Sequence, residues 1–163
     1  MLTEWLWMGG SFLLLLMLII RQAPFGRLRE MWTVLLTMQG IKWLVGALKV
    51  EFGLEAFPVR LFPYATHQDF ATDFAICPCI AVLYALLVRG RTMRVRLLHA
   101  ACFAAAYALW SWTMTRWTTL QVHLRWSSWF DFALVLVLLP LAVRIAEWIV
   151  PETRQAGSAE TRP

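Results

Sequence analysis

Apolar residues run along this chain in five long blocks separated by short polar breaks. Their pattern is neither the strict alternation of half-buried strands nor the narrow stripe of a surface helix. The blocks cover residues 2–20, 31–50, 70–88, 97–115 and 128–150. A helix needs roughly 20 mainly apolar residues to cross a bilayer, and each block has that length or nearly so. The pattern therefore predicts an all-α fold, a multi-pass transmembrane helical bundle of about five helices. Residues 1–150 form a single integral membrane domain, and residues 151–163, PETRQAGSAETRP, form a disordered cytoplasmic tail.

Composition agrees. Of 163 residues, 60% are hydrophobic and 15% charged, where soluble domains have about half and about a quarter. A domain this small has too much surface to hide that surplus in one core, so the surplus must face lipid. The first block is expected to be a retained helix and not a secretory signal. Its leader MLTEW carries Glu4 and no basic residue, and no small-x-small cleavage pattern follows Ile20.

The net charge of +5 changes the picture through its distribution. The breaks after blocks one and three and the region from Arg144 onward hold ten Lys and Arg, against four on the other side, Lys49, Arg60, Arg116 and Arg125. Cytoplasmic loops carry such an excess, which places the amino terminus outside and the carboxyl terminus inside a cytoplasmic (plasma) membrane. Arg89, Arg91, Arg94 and Arg96 then serve topology, and no nucleic acid is expected as a partner. Ten tryptophans, among them Trp110, Trp112, Trp117, Trp126 and Trp129 near outer helix ends, read as interfacial belts. The alanine-rich HAACFAAAYA, residues 99–108, suits close helix packing.

The polar residues inside the blocks are the candidate chemistry. Lys42 lies ten residues past Trp32, about 15 Å along a helix and near the bilayer midplane. A lysine there needs a partner or a wet cavity. Gln39, Lys42, Gly46 and Lys49 share one side of the second helix, a polar face turned inward. Asp73 and Asp131 enter from the outer side, within reach of a lysine stretching toward them. A structural ion pair and a transport or proton-relay role both remain open. Arg144 and Glu147, three apart, are expected to pair.

The stretch FPYATHQDFATDFAICPCI, residues 62–80, gathers further polar groups. Thr66-x-x-Asp69 reads as a capping box starting the third helix, and Ser128-x-x-Asp131 as its counterpart on the fifth. Asp73 lies a turn deeper, beyond what capping explains. His67, Asp69 and Asp73 offer ligands for a hard or borderline cation, and Cys77 and Cys79 for a soft one, without the spacing of a known metal motif. Cys77-Pro78-Cys79 resembles the tripeptide of heavy-metal-transporting P-type ATPases, but the chain has no room for their ATP-hydrolysing domains. Pro78 also frees a backbone carbonyl one turn earlier. The expectation is helix start before metal site.

Several short motifs in and around residues 55–87 carry a resemblance. They are Phe57-Pro58-Val59-Arg60, Asp73 five residues before Pro78, Tyr84 and, further on, Tyr107-x-x-Trp110. The chain resembles a family of small, uncharacterised multi-pass membrane proteins common in spore-forming Gram-positive bacteria. The resemblance implies the topology and brings no activity, cofactor or site residue. No GxSxG, HExxH or Gly-rich phosphate loop occurs, so an enzyme and a cofactor are not expected. The reading is a non-enzymatic accessory or assembly component, with the bilayer and a membrane-protein partner or a second copy of the chain as its contacts. The alternative is a small oligomeric carrier or channel using Lys42, Asp73 and Asp131.

Overall fold

The computed structural model describes residues 2–59, 62, 64 and 67–150. Five helices follow in order: α1 Leu2–Gln22, α2 Leu28–Glu51, α3 Cys77–Val88, α4 Met93–Trp117 and α5 Ser128–Ile149. A π-helical turn, Thr72–Ile76, leads directly into α3. Four helices are long and apolar enough to cross a membrane, and the apolar segment Thr72–Val88 is shorter. The chain is thus an all-α helical membrane protein. The 151–163 tail, Arg60 of the aromatic-Pro-x-Arg motif and Thr66 of the capping box lie outside the described residues.

The helices end where local chemistry stops them. Gly53 takes a left-handed φ of 61° just past α2. This lets the Leu54 N–H reach the Lys49 carbonyl and the Gly53 N–H reach that of Val50, closing the helix C-terminus. Gly90, at φ 68°, turns the chain after α3 in the same region of backbone space.

Helix α3 is the centre of the bundle. It is apolar on every side, as a helix buried on all faces must be, and Ala81, Val82, Tyr84 and Val88 are almost wholly enclosed. The other four helices pack around it. Helices α4 and α5 form a long antiparallel pair. The buried stripe of α4 is Ala100, Ala104, Tyr107, Ser111 and Met114, at helical spacing. Of the alanines in the alanine-rich run only Ala100 and Ala104 are buried, whereas Ala105 and Ala106 face outward. Two small residues on one stripe suffice for close approach.

One end of the bundle carries two short strands, and the other carries most of the arginines among the described residues. At the strand end, β1 (Glu55–Ala56) pairs antiparallel with β2 (Val122–His123), setting Glu55 opposite His123. This ties the α2–α3 connection to the α4–α5 connection. Two further amides, of Leu124 and Arg125, donate to the Leu54 carbonyl. At the arginine end, Glu30 is shared by Arg27 (2.8 Å) and Arg89 (3.3 Å). Glu147 pairs across helices with Arg96 at 2.7 Å, and not with Arg144 as helical spacing suggested. Leu13, Met17, Ile20, Leu36 and Val137 stand exposed on the flanks, as lipid-facing positions would.

Candidate functional site

The site is a buried polar network running from the strands into the bundle along one face of α2. Gln39, Lys42, Gly46 and Lys49 recur at intervals of three and four, so they form a single stripe. Lys42 and Lys49 are 2% and 5% exposed, and charges so enclosed must be paired. Every member of the stripe has a task set by a neighbouring element.

The deeper tier joins α2 to the start of α3. Lys42 Nζ lies 3.3 Å from Asp73 Oδ1 and 5.7 Å from the centre of the Tyr107 ring of α4. Gly46 makes room for this carboxylate, because a Cβ there would overlap Asp73 Oδ2. Gln39 donates its amide to the Phe74 carbonyl at 2.7 Å. That carbonyl is the one whose α-helical partner would be residue 78, and Pro78 has no N–H. The loosened π turn and the Gln39 side chain together absorb the missing bond. Asp69 precedes this turn and accepts from the Ala71 N–H (3.1 Å) and the Thr72 hydroxyl. Burial pushes its carboxyl upward, with the Thr72 hydrogen bond opposing.

The shallower tier is a ring of charges under the strands. Lys49 Nζ lies 2.6 Å from Glu55 Oε2 and 3.1 Å from Asp131 Oδ1, and 4.5 Å from the Trp126 ring centre. The remaining carboxylate oxygens turn toward His123 Nε2, which is 3.3 Å from Glu55 Oε1 and 3.7 Å from Asp131 Oδ2. Ser111 and Trp126 donate to Asp131 at 2.7 and 2.8 Å. Gln121 Nε2 stands 3.0 Å from both Glu55 Oε1 and His123 Nε2. Burial raises the Glu55 carboxyl, and the Lys49 ammonium pulls against that.

No family model, curated protein or solved structure matches the chain. The site is therefore read from its own chemistry. Three of its buried carboxylates, Glu55, Asp73 and Asp131, pair with the two buried ammoniums of Lys42 and Lys49, and the fourth, Asp69, is held by the Ala71 N–H and the Thr72 hydroxyl.

Of the candidates named from sequence, Gln39, Lys42, Asp73 and Asp131 all lie in this network, but in two tiers: Asp73 meets Lys42 and Asp131 meets Lys49. Two capping assignments are corrected. Asp69 is itself the cap of the third helix, whose first helical residue is Phe70, and residues 67–69 are non-helical. Asp131 does not cap α5. Ser127 holds the N-cap position and its carbonyl takes the Phe130 and Asp131 amides, which leaves the Asp131 carboxylate for Lys49. Trp126 is likewise turned inward as a donor, while Trp112, Trp117 and Trp129 stay exposed.

The metal candidates divide. His67 is exposed, while Asp69, Asp73, Cys77 and Cys79 are buried. Among the described residues these five do not converge as a ligand group. The set that does is Glu55, His123 and Asp131, whose ligand atoms lie within 4.8 Å of one another. Glu55 and His123 carry no local signal, because they meet only through strand pairing between two distant loops. Ser111 had one: it extends the buried stripe of α4 past Tyr107.

Proposed function

We propose that this chain is a non-enzymatic accessory or assembly component of a cytoplasmic membrane, acting through the surface of a bundle whose internal charges are structural. The observation that carries this reading is the mutual satisfaction of the buried network. Lys42 meets Asp73, Lys49 meets Glu55 and Asp131, and Gln39 meets the carbonyl that Pro78 leaves. Beyond Lys42 the same face of α2 continues with Met38 and Val34, both 1% exposed, against apolar residues of α3 and α5. The polar path ends there. The distribution of basic residues supports an outside amino terminus, with the strands on the outer face. The resemblance to a family of spore-former membrane proteins fits this placement.

A carrier using Lys42, Asp73 and Asp131 is the second reading, favoured by the excess of buried carboxylates over ammoniums. Purifying the tagged protein in mild detergent and identifying what elutes with it by mass spectrometry separates the two. An accessory component brings a second membrane protein in near-equal amount. Elution as a homo-oligomer that conducts ions in liposomes contradicts the proposal.

A further inference from the structure

We infer that Glu55, His123 and Asp131 form a binding site for a borderline divalent cation of the zinc class, clasping the two strands to α5. The two carboxylates divide their oxygens between two partners. Lys49 takes Glu55 Oε2 and Asp131 Oδ1. The other oxygen of each acid, Oε1 and Oδ2, faces His123 Nε2. The imidazole nitrogen and these two oxygens thus converge on the side away from the ammonium, where Glu55 Oε1 also accepts from Gln121 Nε2 and Asp131 Oδ2 from the Ser111 hydroxyl.

The spacing fits a metal. A tetrahedral centre with bonds of about 2.0–2.2 Å sets its ligand atoms roughly 3.3–3.6 Å apart. The imidazole nitrogen lies 3.3 and 3.7 Å from the two oxygens. One imidazole with two carboxylates is a donor set that suits zinc and its neighbours better than a soft ion. Gln121 stands at the fourth side, its amide 3.0 Å from both Glu55 Oε1 and His123 Nε2. Half a turn of that amide presents Oε1 instead of Nε2 to the same point.

Charge gives an independent reason. Beside this point two carboxylates, Glu55 and Asp131, face one ammonium, that of Lys49. The ligands come from β1, β2 and α5, so an ion here would lock the loops that close the strand end of the bundle. The inference does not depend on the accessory role, since a clasp of this kind serves a carrier equally well.

The test uses the full chain in detergent micelles, loaded with Zn2+ and freed of loose metal, with zinc per chain measured by atomic emission. The expected result is one zinc per chain and a melting temperature that rises with zinc concentration. His123→Gln, at the least buried ligand, should weaken binding at least about tenfold. Co2+ in place of zinc should give the visible bands of a four-coordinate centre without a thiolate charge-transfer band, a reading that needs no variant. Wild-type protein retaining no zinc overturns the proposal, as does unchanged binding in His123→Gln. A thiolate band also overturns it, because the metal would then sit at Cys77 and Cys79.

Discussion

At the scale of single residues, Gly46 shows what a buried carboxylate requires of its surroundings. Asp73 reaches α2 where that helix has no side chain, and its carboxylate occupies the space a methyl group would fill. The nearest atoms are those of Asp73 and the Gln68 side-chain oxygen at 3.2 Å, and Asp73 is held from two sides, by Lys42 and by the π turn. Gly46→Ala would normally help a helix by about 1 kcal/mol. Here the overlap should outweigh that gain and destabilise the protein by about 1–3 kcal/mol, seen as a lower melting temperature in detergent. Gly40, on the same helix with open space around its Cβ position, is the control: Gly40→Ala should be neutral or stabilising.

At the scale of elements, the entry to α3 couples a backbone defect to a side chain on another helix. Pro78 removes the donor for the Phe74 carbonyl, and Gln39 supplies one from α2. Gln39→Leu should therefore cost about 1–3 kcal/mol by leaving a partly buried acceptor unmet. The same change in a Pro78→Ala background should cost clearly less, because residue 78 then offers its own N–H; thermal melts of the four proteins measure this coupling. Much of this element was legible in the sequence, because helical spacing and the effect of proline act over a turn or two. The polar stripe of α2 and the carbonyl freed by Pro78 are local features of that kind. Asp131 misled for the same reason. Its position after Ser128 satisfies a local capping pattern, yet its carboxylate is claimed by Lys49, 82 residues away in the chain. The Glu55–His123 pair was illegible altogether, since it depends on which two loops meet at the end of the bundle.

At the scale of the whole molecule, the fold separates two solvents. The flanks expose leucine, isoleucine and tryptophan, which suits lipid, and Lys42 and Lys49 with their carboxylates lie inside between α2, α3, α4, α5 and the strands. Five apolar helices could pack in several registers with little difference in energy. A buried ion pair favours the register in which its partners meet, and Lys42–Asp73 and Lys49–Asp131 do this for α2 against its two neighbours. The central claim is thus that these pairs hold the bundle together. The most direct measurement is the melting temperature, in one detergent, of wild type, Lys42→Met, Asp73→Asn and the double variant. The account predicts that Lys42→Met loses about 3–5 kcal/mol because Asp73 is left buried and unpaired. The double variant should then be much more stable than the sum of the two single losses allows. Single variants that melt like wild type, or losses that simply add, would contradict it.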